Sequence, residues 1–581
     1  MTAPARGAAV VPLVLLLLLL LPLAMTTRAP AATCDLLIRG GLILDGSGAA
    51  PFVGDVAITN DRLAAVGSLA GWKARREVDA AGLAVAPGFI NLLSWAPESL
   101  LHDGRSQGDL RQGVTLEVMG EGESMGPLNP AMKQALRASQ GDLRYRVAWN
   151  TLGEYLDHLV RRGVSCNVAS FVGATTVRVH ELGHANRPPT AAELDRMTQL
   201  VHQAMREGAL GVSSALIYAP AFYAQTDELI ALAGAASAHG GLYASHLRSE
   251  GHRLLEAADE FLTILRTAGI RGHLYHLKAA GQANWPKLDP FLAKLEAART
   301  EGLTLTADLY PYTAAATGLD AAMPPWVQEG GHDAWAARLR DPAVRDRVRR
   351  EMTTPARDWE NFYLAAGSPE KILLVGFRNP TLKPLTGQTL AAVAARRGTS
   401  PEDTIMDLVI EDGSRVGTVY FLMSEENLRA PMRKPWVAFA SDAASLAPEG
   451  AFLKSGTHPR AYGTFARVLA RYVRAEQVLT LPEAIRRMTS LPAGILKLDR
   501  RGALLPGHFA DVVVFDPARI QDHATYERPH QYATGVHHVW VNGVQVLRSG
   551  THTGAKPGRV LRGPGYRPSP PTRSPTHPLT R

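Results

Sequence analysis

Eight short apolar runs, separated by helix-patterned stretches, fill the middle of this 581-residue chain and leave it few ways to fold. They cover residues 83–90, 115–119, 166–172, 210–214, 242–246, 273–276, 303–309 and 437–441. Between most of them apolar residues recur at helical spacing, as in 191–207, 226–238 and 252–268. Eight such units predict an α/β fold, a (β/α)8 TIM-like barrel over about residues 83–500. Residues 317–433, between the seventh and eighth runs, are too many for one loop and predict an inserted helical subdomain.

Both flanks read differently. Residues 35–82 hold short strands punctuated by Gly40-Gly41, Asp45-Gly46 and Asn60-Asp61, and residues 510–515 and 539–544 have the same texture. The two ends are expected to build one small composite β-sandwich domain, 32–82 with 501–556.

Residues 1–31 have the pattern of a cleavable signal peptide: Arg6, a leucine-rich run over 11–24, then Ala29-Pro30-Ala31. The expected location is therefore secreted or periplasmic. The apolar run is short for a stable membrane span, and Ala31-Ala32-Thr33 is a poor lipidation signal for Cys34. The formal net charge of +8 misleads. Arg6 and Arg28 supply two positives, the segment from Lys556 to Arg581 supplies six, and neither stretch has an acid, so the body is close to neutral. That gives no support to a nucleic-acid groove. Residues 557–581, rich in Pro, Arg and Thr, predict a disordered tail. Two cysteines, Cys34 and Cys166, make neither a disulfide framework nor a CxxC metal pattern.

In barrels of this kind, chemistry sits at the carboxyl ends of the strands. Run five ends in His246, run six in His276 with Lys278 two residues on, and run eight is followed by Asp442. Taken singly, such a His is usually a hydrogen-bonded structural residue, Asp442 a helix cap and Lys278 a solvated charge. Together on one rim they suit a divalent cation with N and O ligands and a carboxylate placed to move a proton.

Long segments then resemble the D-aminoacylase / N-acyl-D-amino-acid deacylase family of amidohydrolases. They include Ala244-Ser245-His246-Leu247-Arg248-Ser249-Glu250-Gly251, His276-Leu277-Lys278-Ala279-Ala280-Gly281, Asp308-Leu309-Tyr310-Pro311-Tyr312, Ser441-Asp442 and His458-Pro459-Arg460, in order across nearly all of residues 35–560. The resemblance implies metal ligation by His246 and His276 and a general base at Asp442. It implies a substrate clamp from Lys278, Tyr218, Arg460 and a tyrosine of the Tyr310/Tyr312 pair. The implied cofactor is one divalent metal ion, with zinc favoured, and the implied partner is a small N-acyl amino acid or dipeptide. A homo-oligomer is compatible with it.

The chain departs from the family pattern at three places. The family's His-x-His after Pro-Gly-Phe-Ile is here Leu93 and Trp95, so a second metal site is expected to be missing. Its bridging cysteine falls on Gly122, and Glu121, with Glu123 close behind, is the expected third ligand. Its histidine after strand three is Ala174. Two other readings compete with a deacylase or D-amino-acid dipeptidase: a cyclic-amide hydrolase of the hydantoinase type, and a catalytically inactive amidohydrolase-fold binding protein.

Overall fold

A computed structural model describes residues 32–568; the signal-peptide reading of residues 1–31 lies outside the described residues. Among the described residues, eight parallel strands form a ring: Phe89–Asn91, Val114–Met119, Asn167–Ser170, Gly211–Ala215, Leu242–His246, Arg271–Leu274, Leu305–Leu309 and Val437–Phe439. The third strand continues as Val172–Gly173, which pairs with the fourth. The ring closes where Ser94 bridges Ala443 and the Trp95 amide donates to the Ala443 carbonyl at 2.9 Å.

Alternation along the strands sorts side chains to two sides. Ile90, Leu116, Ala169, Leu210, Leu242 and Ala438 form one buried cluster inside the ring, and their neighbours pack outward against the helices. The helix Ala191–Glu207 shows how the sequence specifies that outer layer. Thr190 and Glu193 make a reciprocal capping box, Gly208 ends the helix in the left-handed region, and Met197, Val201, Ala204 and Met205 form the buried stripe.

The first apolar run is two strands, not one. Ala84–Pro87 pairs with Thr33–Ile43 and Val512–Phe515, whereas Phe89–Asn91 opens the barrel. The barrel therefore begins after Gly88 and not at residue 83. A Cβ on Gly88 would sit 2.2 Å from Thr115 Oγ1, so only glycine lets the chain pass from one sheet into the other. Strands from both chain ends form a single nine-stranded hydrogen-bonded sheet. Ile38, Val56, Val85, Val514 and Trp540, drawn from both ends, share one buried cluster.

Two further expectations change. The insert is not purely helical: Ala314–Gly318, Ile372–Gly376 and Gly417–Phe421 make an antiparallel sheet. It has its own core around Trp335, Met352, Ile405, Val409 and Tyr420. The tail is ordered over residues 557–568. Leu561, Gly563 and Arg567 donate backbone hydrogen bonds to Val168, Gly208 and Arg206, and Arg562 pairs with Asp157. Part of the basic excess assigned to a free tail thus neutralises acids of the body. Cys34 and Cys166 are both buried thiols. Among the described residues, no helix is long and apolar enough to cross a membrane.

Gly88→Ala should destabilise the chain by about 1–3 kcal/mol through overpacking, and adding Thr115→Gly, which removes all three close atoms of that side chain, should recover part of that loss. Chemical denaturation of the single and double variants measures both. Equal stability of Gly88→Ala and the parent would remove the close approach as a constraint.

Candidate active site

His246 is the last residue of the fifth strand. His276 lies two residues past the end of the sixth and holds a left-handed φ of 36°. That conformation costs a non-glycine residue about 1 kcal/mol or more, and a buried carboxylate from the seventh strand sustains it. Asp308 Oδ1 accepts from the His276 amide at 2.7 Å, while Asp308 Oδ2 lies 2.9 Å from His273 Nε2. The His246 and His276 rings end up 4.4 Å apart between centroids.

The third member comes from the turn after the second strand. Gly120 and Gly122 both have positive φ, and a Cβ on Gly122 would meet Ala215 at 2.6 Å. The turn so made aims Glu121 into the barrel mouth. Its Oε1 lies 3.2 Å from His246 Nδ1 and 2.9 Å from His276 Nε2. All three residues are buried, and one ligand atom from each falls within 4.8 Å of the others. Glu123, the alternative ligand, is exposed on the cleft wall and stands outside this group.

Glu250 is the residue that sequence reasoning passed over. It is buried, with Oε1 2.6 Å from Lys278 Nζ and 3.0 Å from His276 Nδ1, and Oε2 3.5 Å from His246 Nε2. The signal was a carboxylate inside the segment around His246 already singled out. His246 Nε2 and Glu250 Oε2 are both buried without a hydrogen-bond partner. Unmatched lone pairs, two imidazoles and ionised carboxylates are a donor set that fits a divalent cation.

Electrostatics agree with that fit. Burial works against ionisation of Glu121, but His276 and His246 hold it well below the usual carboxylate range. Burial and Lys278 oppose a charge on His276, yet Glu250 and Glu121 pull its pKa well above that of a free imidazole. The site demands positive charge between its carboxylates. Asp442, at the seam of the eighth and first strands with φ 48°, is raised to about 6 by burial, against the pull of Arg460. Arg460 Nη1 is 2.8 Å from Asp442 Oδ2, but Arg460 Nε and Nη1 lack a well-aligned hydrogen-bond acceptor.

A cleft of about 1290 Å³ opens above this cluster, lined by barrel loops and by the insert. Tyr310 faces it, with its hydroxyl buried and unpartnered and the Arg460 guanidinium 4.4 Å from its ring. Tyr312 does not share that position. Its hydroxyl lies 3.5 Å from the Pro459 carbonyl and its ring under Arg467, so of the pair only Tyr310 lines the cleft. Tyr218 lies edge-on to His246 at 5.4 Å and beneath Arg415.

Residues 76–547 match the model of the amidohydrolase family. The chain belongs to that family. This amidohydrolase is therefore a metal-dependent hydrolase of C–N bonds. It is 33% identical to D-aminoacylase of Alcaligenes xylosoxydans xylosoxydans over 91% of its own length and 97% of the relative's. Among solved structures, a D-aminoacylase with a binuclear metal centre, described by one-metal activation and second-metal attenuation, superposes with a TM-score of 0.75 at 31% identity, covering 91% of this chain and all of that one. N-acyl-D-glutamate deacylase from Bordetella bronchiseptica, bound to zinc and a phosphonate mimic of the tetrahedral intermediate, gives the same TM-score at 30% identity and the same coverage.

Glu250→Gln should lower metal affinity about 10–100-fold, the usual cost of losing a carboxylate that orients a ligating histidine, with partial recovery in Glu250→Asp. Equilibrium dialysis against zinc measures this, and affinity equal to the parent's would strip Glu250 of that part.

Proposed function

We propose that this amidohydrolase is an exported deacylase that hydrolyses the linear amide of N-acyl-D-amino acids, or of dipeptides containing them, with one zinc ion. The observation that carries the reading is the meeting of Glu121, His246 and His276 on the same rim as Asp442, Lys278, Tyr310 and Arg460. Export rests on the sequence pattern of residues 1–31.

Glu121, His246 and His276 would hold the cation. When bound, such an ion lowers the pKa of a water from about 16 toward 7 and polarises a carbonyl. The remaining work falls to the chain's own groups. Asp442 in its ionised form takes a proton from the attacking water and returns it to the amide nitrogen as the C–N bond breaks, releasing a carboxylic acid and a free amino acid. Arg460 Nη1 holds the Asp442 carboxylate in place, and the guanidinium, on the cleft lining, supplies the positive charge that a substrate carboxylate would meet. Tyr310, with its free hydroxyl, and Lys278 suit the carbonyl oxygen, on which negative charge grows. The insert walls the cleft opposite the barrel and shapes the space for the acyl and side-chain groups.

Zinc-loaded protein should hydrolyse N-acetyl-D-amino acids in preference to their L-forms and to hydantoins; turnover of hydantoins alone would move the reaction to cyclic amides. Asp442→Asn should cut kcat about 10²–10⁴-fold, as loss of a general base does, without releasing the metal. Asp442 is raised to about 6, and a base acts when deprotonated, so kcat/KM should climb as pH rises through about 6 or lower, since a bound cation favours the carboxylate. An acid limb above pH 7 would exclude Asp442 as the base.

A further inference from the structure

Trp95 follows the first barrel strand at the seam with the eighth. Its amide donates to the Ala443 carbonyl, which fixes it beside Asp442. It is 42% exposed, at the mouth of the cleft. Its indole Nε1 lies 2.9 Å from Glu121 Oε2 and 3.1 Å from Asp442 Oδ1. Two buried carboxylates thus direct one oxygen each at a single nitrogen.

Two carboxylates that converge in a buried site repel unless something positive stands between them, and a cation is the usual occupant. The other oxygen of each is already engaged, Glu121 Oε1 by the two imidazoles and Asp442 Oδ2 by Arg460. The point between Glu121 Oε2 and Asp442 Oδ1 is therefore separate from the Glu121–His246–His276 group. An indole offers one N–H and no lone pair, so it satisfies both oxygens electrostatically, fills the space with its ring and cannot ligate. Leu93, two residues earlier, is buried within the apolar interior of the ring and offers no donor atom either.

We propose that Trp95 stands in for a second cation: its indole N–H bridges Glu121 and Asp442, confines the site to one metal, and keeps the Asp442 carboxylate aimed at the reacting water. This rests on the one-metal deacylase reading. On this reading the chain, unlike the D-aminoacylase described by second-metal attenuation, keeps its turnover when zinc is in excess.

The test is metal stoichiometry. Chelator-stripped full-length protein is equilibrated with excess zinc, desalted and analysed for zinc per chain, alongside Trp95→Ala, Trp95→His and Leu93→His/Trp95→His. Folding is checked by circular dichroism. The parent should retain one equivalent and keep its turnover in excess zinc. The variants should take up a second equivalent, and excess zinc should then slow them. Two equivalents in the parent would overturn the role of Trp95 and leave the deacylase reading standing, as would one equivalent in all the folded variants. No zinc in the parent would end both.

Discussion

The carboxylate of Glu121 is the constraint around which the rest of the site is arranged. It is buried, and an isolated ionised carboxylate in such a place is prohibitively costly. It stays ionised because imidazoles from two neighbouring strands face one of its oxygens and an indole N–H faces the other. Without a cation, the compensating charge is a proton on His276, held there by Glu121 and Glu250. A ligating imidazole must give that proton up. Metal uptake would then replace the single charge of that proton by the two of a divalent ion, which the ionised Glu121 would take up, while Glu250 is already paired with Lys278.

That arrangement needs side chains from five different barrel strands to arrive at one level, and the barrel supplies it through register. Residues opposite one another on adjacent parallel strands sit at equal height, as Ala215 and His246 do. His276 sits off this grid, two residues past its strand, and Asp308 corrects for that by binding its amide. Asp442 is corrected in a similar way, with its amide donating to the Leu93 carbonyl. Both correcting contacts reach to a neighbouring strand of the ring, so the two left-handed residues of the site are sustained by ring closure and not by their own loops.

This division explains what could be read in the sequence. The eight strands and helices such as Ala191–Glu207 announce themselves through apolar periodicity and caps, and the strand-end residues His246, His276 and Asp442 follow from them. Loop residues do not. Glu121 and Glu123 are two positions apart, and sequence alone prefers Glu121 only narrowly; the positive φ of Gly122 between them separates the two, sending Glu121 inward and leaving Glu123 exposed. Tyr310 and Tyr312 separate in the same way, across Pro311. Glu250 is four residues from His246, a spacing that has meaning on a helix and none in the loop where it lies. The split at Gly88 escaped because 83–90 is one apolar run; the change of strand partners across Gly88 reveals the break, and the close approach of Thr115 shows why a glycine stands there.

The insert is bound into the same electrostatic problem. Glu360, a residue of the insert, accepts from the Glu250 amide at 2.5 Å, and burial together with the Glu250 charge lifts its pKa to about 7. Burial and the Glu250 charge both work against a second negative charge at Glu360. Glu250 has Lys278 and His276 beside it, so of the two carboxyl groups Glu360 is the first to take up a proton as pH falls, and the negative charge stays on the residue that faces the histidines. The insert anchors the loop after the fifth strand through this contact, and Phe362 packs in the same buried cluster as Ala280 of the loop after the sixth strand. The cleft wall and the metal-binding loops therefore form one packed body: the element that shapes the substrate space also holds the backbone of Glu250, the carboxylate behind the metal site.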